Sequence, residues 1–171
     1  IEASSGRRLG DPRNPLLLSV RSSAASSMPG MMDTLLNVGI SPTVAEGLAI
    51  TTDDGPFAWD TFRRAVLGFW EVVAQSDVLP EQRLALDGVT DRSSAERFLS
   101  TQALSGSKVP AAQPIDQVLE AITAIIASWN SGRAHAFRTR EGIDHGLGTA
   151  VIVQAMVYGN RGARSGTCLL Y

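Results

Sequence analysis

From Phe57 to about Ala74 the chain places Trp59, Phe62, Val66, Phe69, Trp70 and Val73 three or four residues apart. That period lays an apolar stripe along one side of an α-helix, and such a helix must bury its stripe against something. Ile115 to Ser128 repeats the pattern, with Ile115, Val118, Leu119, Ile122, Ile125, Ile126 and Trp129 as the expected apolar face. Two long amphipathic helices, at about 57–74 and 114–130, therefore set the frame. Phe62, Val66, Phe69, Ile122, Ile125 and Val153 are the expected core.

Other segments are shorter. PLLLSVR, from Leu16 to Arg21, reads as a buried strand behind Pro15. Val151–Tyr158 (VIVQAMVY) and Thr167–Tyr171 read as two more, joined by the glycine-rich GNRGARSG, and are expected to form an antiparallel hairpin. Weaker helical patterns fall at 43–51, capped from Ser41 or Thr43, and at 80–87 and 92–103; WNSG introduces a turn and a basic helix. Residues 1–14 read as a polar lead-in. The expected class is α+β, richer in helix than strand, with short strands near 16–21, 151–158 and 167–171.

Composition narrows the function. Of 171 residues, 44% are hydrophobic and 19% charged, which supports a packed core and excludes wholesale disorder. Fifteen Lys and Arg against 17 Asp and Glu leave a net charge of −2, unlike a strongly basic nucleic-acid or membrane module. No run is long and apolar enough to span a bilayer. Cys168 is the single cysteine, and with two histidines the chain offers neither an internal disulfide nor a metal-hydrolase cluster. The chain opens on Ile1 and closes on GTCLLY, and the expectation is a piece of something longer, cut at both ends.

The strongest chemical feature is a strand, an arginine and a loop. Arg21 closes the first strand and precedes Ser22, Ser23, Ser26, Ser27, Gly30 and Thr34. Exposed N–H groups and hydroxyls beside a guanidinium suit phosphate oxygens. Gly30 permits positive φ or close approach, and Pro29 stiffens the entry. An ordinary serine-rich loop is the competing reading. Neither GxxxxGK[ST] nor GxGxxG is present. Met28, Met31 and Met32 are expected to pack the loop rather than bind a soft metal. Trp59, Phe69 and Trp70 are expected in the core, and Arg133, Arg138, Arg140, Arg161 and Arg164 on a solvated face. His135 and His145 are expected in structural or surface roles.

Four blocks carry a resemblance. VRSSAASSMPGMMDTLLNVG at 20–39, FAWDTFRRAVLGFWEVV at 57–73, AITAIIASWNSGRAHAFR at 121–138 and GTAVIVQAMVYGNRGARSGT at 148–167 closely resemble, in order, segments of the pyruvate, phosphate dikinase family. The resemblance implies part of an ATP-grasp nucleotide-binding domain of a longer cytoplasmic enzyme, or a plastid one where the parent comes from a plant. It implies use of ATP and inorganic phosphate, with Mg2+, to phosphorylate a histidine on a swivelling domain. That group then serves pyruvate in a barrel domain, giving phosphoenolpyruvate, AMP and pyrophosphate. A homodimeric parent, with no nucleic-acid or membrane partner, is implied as well. A phosphoenolpyruvate synthase-like parent and a non-catalytic interaction or structural paralogue are the alternatives.

Residue by residue, the resemblance implies catalytic roles for Arg21 and Arg64 as phosphate-directed arginines, with Arg63 beside the second. Ser27, Gly30, Met32, Asp33 and Thr34 fall in its phosphate loop, and Gln154, Met156 and Val157 border its adenine pocket. Its lysine segment is expected upstream and its metal-binding acidic pair downstream, so the chain itself is expected to supply no metal ligand and not to turn over ATP alone. Two departures stand out: Ser23 replaces a family glycine, where positive φ would cost about 1 kcal/mol, and Cys168 replaces another.

Overall fold

The computed structural model describes residues 1–159. The polar start folds into a four-residue helix, α1 (Glu2–Ser5), and a two-residue strand, β1 (Arg8–Leu9), parallel to β2 (Pro15–Leu16). The expected lead-in is thus structured: Glu2 Oε1 accepts from the Leu9 N–H at 2.8 Å, and Arg8 N–H donates to Asn14 O at 3.0 Å.

The expected first strand is divided at Leu17 into β2 and β3 (Leu18–Ser23). β3 is central in a three-stranded antiparallel sheet, between β4 (Thr34–Val38) and β5 (Ala150–Ala155). β4 covers a segment where the sequence pattern predicts no strand, and β5 ends three residues before the expected Tyr158. The hairpin partner at 167–171 lies outside the described residues. Within them, β5 pairs with β3, from Leu18 opposite Ala155 to Ser23 opposite Ala150.

The helices follow the apolar periods closely. α2 (Pro42–Thr52) starts where the Ser41 side chain accepts from the Val44 N–H, with Pro42 at its first position. α3 (Gly55–Gly68), capped by Asp54, continues without a break into a π-helical segment at Phe69–Ala74 that ends on Gln75 in the left-handed region. α4 (Pro80–Asp87) and α5 (Arg92–Leu104) complete a helical lobe, whose core holds Leu48, Trp59, Phe62, Val66, Phe69, Trp70 and Phe98. The π-helical segment serves two cores: Phe69 and Trp70 face the helical lobe, while Val72 packs behind the sheet.

α6 (Pro114–Ser128) covers the inner face of the sheet. Leu18, Val20, Leu35 and Val38 meet Val118, Ala121, Ala124 and Ile125 there. Ile122 and Val153, expected to be largely buried, are only half-buried. Ile115, Leu119 and Ile126, assigned to the apolar face, are 57%, 56% and 50% exposed. The helix approaches the sheet through its alanines, so the buried stripe is narrower than the apolar one. Buried Gln117 pins α6 to the turn after β4. Its Oε1 accepts from the Gly39 N–H at 2.9 Å, and its Nε2 donates to Ala111 O at 2.8 Å and Ile40 O at 3.2 Å. α7 (Gly132–Glu141) follows a short turn, capped by the Ser131 side chain accepting from the Ala134 N–H.

Candidate functional site

Alternation along the strands sorts residues onto two faces of the sheet. Leu18 and Val20 point to α6, so Ser19, Arg21 and Ser23 point away from it. On this outer face Arg21 has Thr34 of β4 directly opposite on one side and Ile152 of β5 on the other. Gln154, opposite Ser19, is one outward-facing position further along β5. Arg21, Thr34 and Gln154, distant in sequence, are thereby gathered onto one exposed surface.

Arg21 is exposed and has no hydrogen bond or ion pair to its side chain among the described residues. Arg63 and Arg64 differ. On α3, Arg64 Nε donates to Asp60 Oδ2 at 2.6 Å, and Arg63 donates from one terminal nitrogen to Val89 O at 2.8 Å and lies 3.6 Å from the same aspartate. Among the described residues nothing bonds either of them to Arg21 or the serine loop. Arg64 is 73% exposed in its side chain, held by a surface ion pair of the kind that exchanges readily with solvent or a ligand.

The loop between β3 and β4 turns at Met28-Pro29-Gly30-Met31. The Met31 N–H donates to Met28 O at 3.1 Å, with Pro29 second and Gly30 third at φ +70°. A positive φ after proline is the signature of a type II turn, and it requires glycine or a near substitute. Space around Gly30 is open: an added Cβ would meet no atom within 4 Å. The N–H groups of Ser26, Ser27, Gly30 and Met32 donate to no group among the described residues, whereas that of Asp33 donates to Ser128 Oγ at 3.4 Å.

The three methionines pack the loop down, as expected. Met28 is buried with Trp129 and Ala134 in a small third core, edged by Met31, Met32 and Phe137. Ser23, where the resemblance implies a glycine, pairs with Ala150 and is absent from the positive-φ residues, so no left-handed strain attends it.

The expected adenine-side residues part company. Gln154 and Val157 are exposed. Met156 is half-buried against the helical core, its N–H donating to Leu17 O at 2.8 Å and its carbonyl accepting from Arg7 at 3.4 Å.

The basic helix departs most from the sequence reading. Arg138, expected on a solvated face, is 1% exposed. It donates to Trp129 O at 2.6 Å and to His145 Nδ1 at 3.0 Å, and lies 4.0 Å from the Trp129 ring centre. His145 stacks in parallel on His135 at 4.2 Å, giving both histidines structural contacts. Arg133 reaches back to the loop, donating to Met31 O at 3.1 Å and to Asp33 Oδ1 at 2.5 Å. No signal in the sequence pointed to either arginine.

One guanidinium, several hydroxyls and a row of unengaged N–H groups suit phosphate oxygens and not a divalent cation. Among the described residues no group of three or more His, Cys, Asp or Glu side chains gathers where it could hold a metal. The outer face of the sheet and its loop thus define an α+β module with an anion-receptive surface.

The chain belongs to the pyruvate phosphate dikinase, AMP/ATP-binding domain family, which matches residues 2–170. It is 36% identical over 183 residues to the pyruvate, phosphate dikinase of Clostridium symbiosum, covering 98% of this chain and 21% of that protein. It is 39% identical to that of Giardia intestinalis over 98% of the chain and 20% of the relative. With the chloroplastic pyruvate, phosphate dikinase 1 of Arabidopsis thaliana it shares 41% over 100% and 19%. The chain therefore corresponds to the nucleotide-binding region of a known type of phosphotransferase and spans about a fifth of the length of these curated relatives.

Proposed function

We propose that this chain supplies the phosphate-binding wall of the nucleotide site in a pyruvate, phosphate dikinase-type enzyme. The overall reaction would be ATP, phosphate and pyruvate giving AMP, pyrophosphate and phosphoenolpyruvate, through a phosphohistidine on another domain. The observation that carries the reading is Arg21, which has no side-chain partner among the described residues, flanked by Thr34 and followed by a loop whose N–H groups at Ser26, Ser27, Gly30 and Met32 donate to none of them. A guanidinium can make paired, charge-assisted contacts to a phosphate, and fixed N–H dipoles lose no reorganisation energy when charge develops beside them.

In this reading Arg21, Ser27, Gly30, Met32 and Thr34 contact phosphate oxygens, and Asp33 keeps the loop in shape. Gln154 and Val157 border the base, with the Met156 main chain between them. Arg64 joins when its hold on Asp60 is exchanged for phosphate, and Arg63 supports it. Mg2+, when bound, would neutralise phosphate charge; no described residue is assigned to hold it. A plastid location applies if the parent is a plant protein like the chloroplastic relatives; otherwise it is cytoplasmic.

The test is Arg21→Ala in the full-length protein. The ATP-dependent half-reaction should slow or need more ATP, by about tenfold or more, while pyruvate–phosphoenolpyruvate exchange, carried by other domains, stays nearly intact. Arg21→Lys should recover only part, since an ammonium cannot make the planar paired contact. Unchanged ATP-side kinetics would remove Arg21 from the site.

A further inference from the structure

The geometry points to Arg133 as the positioning residue of the phosphate loop, holding its N–H groups toward the ligand and neutralising the acid it contains. This rests on the nucleotide-site reading above and names a residue that reading does not need.

Asp33 presents a difficulty for any anion site. A carboxylate between Met32 and Thr34 repels phosphate unless it is neutralised. Arg133 meets it at 2.5 Å, and the same guanidinium takes the Met31 carbonyl at 3.1 Å, so one rigid plane fixes two consecutive features of the loop. With that carbonyl engaged, the Met31–Met32 peptide has its oxygen turned to Arg133 and its N–H without an acceptor among the described residues.

Arg133 is poorly placed for the benefit of its own helix. It is the second residue of α7, after the Ser131 cap and Gly132, where the macrodipole is positive and a cation is disfavoured. Asp33 brings the compensating negative charge to that end. The base from which Arg133 reaches is stiff: buried Arg138 ties α7 to the Trp129 carbonyl, and Trp129 shares a small core with Met28 of the loop itself. The loop is thus gripped at Met28, Met31 and Asp33 by one helix–turn unit, 100 residues away in the chain.

The pair is half-exposed, with side-chain exposures of 51% and 28%. Such a pair adds little to global stability. Its loss should therefore appear in ligand handling more than in folding.

The experiment uses the full-length protein, with Mg-ATP as the probe. Arg133→Ala should raise the ATP KM about tenfold with a smaller change in kcat, an unchanged pyruvate–phosphoenolpyruvate exchange and nearly the same melting temperature. Arg133→Lys should recover part, keeping the charge opposite Asp33 and losing one of the two contacts. Adding Asp33→Asn to Arg133→Ala should also recover part, because it removes the uncompensated charge. An unchanged ATP KM in Arg133→Ala, with Arg21→Ala still raising it, overturns the positioning role and leaves the nucleotide reading standing. Equal loss of both half-reactions with a lower melting temperature overturns it in favour of a structural role. If neither arginine variant changes the ATP KM, both readings fall.

Discussion

Arg21 and Thr34 stand directly opposite each other across β3 and β4, on the face of the sheet turned away from α6. Ten of the twelve intervening residues form the loop, so the strand pairing brings together the two ends of the proposed phosphate-binding segment. A register slip of one residue would send Arg21 into the apolar layer under α6. The candidate site is a consequence of sheet pairing, so the core that fixes the register also fixes its geometry.

Phe69 is 4% exposed and sits at the start of the π-helical segment, in the core of the helical lobe. Phe69→Ala should destabilise the protein by about 3–5 kcal/mol in a denaturant titration. A loss under about 1 kcal/mol would mean that this face is not packed.

Gly47 reverses the usual rule for glycine in a helix. Replacing a mid-helix glycine with alanine ordinarily stabilises by about 1 kcal/mol. Here an added Cβ would lie 1.9 Å from the Pro12 carbonyl oxygen and 2.6 Å from two further Pro12 backbone atoms. Gly47→Ala should therefore lower the melting temperature, as the N-terminal segment is pushed off α2. A rise would show that this contact yields easily.

Ser23 and Gly30 should both lose stability on replacement, for opposite backbone reasons. Ser23→Gly installs the residue that the family resemblance implies, yet Ser23 lies in ordinary strand geometry. Glycine there should bring no gain and a cost of about 0.5–1 kcal/mol. Gly30→Ala forces a Cβ into φ +70° and should cost about 1 kcal/mol, weakening ATP binding with it. Thermal melts with and without Mg-ATP would distinguish the two effects.

How much of this was legible follows from the physics of each element. The helices at 55–74 and 114–128 announced themselves because burial on one side imposes a 3.6-residue period. The width of the α6 stripe did not, since Val118, Ala121, Ala124 and Ile125 make the contact while Ile115, Leu119 and Ile126 stay exposed. β4 was missed: it is five residues long, its register to β3 shifts between Leu18 and Val20, and Asn37 sits at φ +60°. Arg21 and the loop could be read locally as phosphate chemistry. Arg133 and Arg138 could not, because their partners lie in the loop and in the indole and carbonyl of Trp129, and spacing carries no trace of such contacts.

Asp91 gives a pH dependence with a definite sign. It caps α5, and hydrogen bonds from the Ser94 backbone and side chain hold its carboxyl below the ordinary 3.8. A carboxyl lowered on folding contributes stability that is fully present above its unfolded value and fades as pH falls through the folded one. Asp91→Ala should lower the melting temperature most above about pH 4, with the gap to the parent protein closing in more acidic buffer. A gap that widens on acidification would contradict the sign.

In the proposed site, the loop between Arg21 and Thr34 offers its N–H groups to nucleotide phosphates. Hydrogen exchange of the full-length protein, with and without Mg-ATP, tests it most directly. The amides of Ser26, Ser27, Gly30 and Met32 donate to no group among the described residues, so they should exchange fast alone and become protected with Mg-ATP, and not with pyruvate. ATP-dependent protection elsewhere in the protein, with these amides still exchanging fast, would contradict the account.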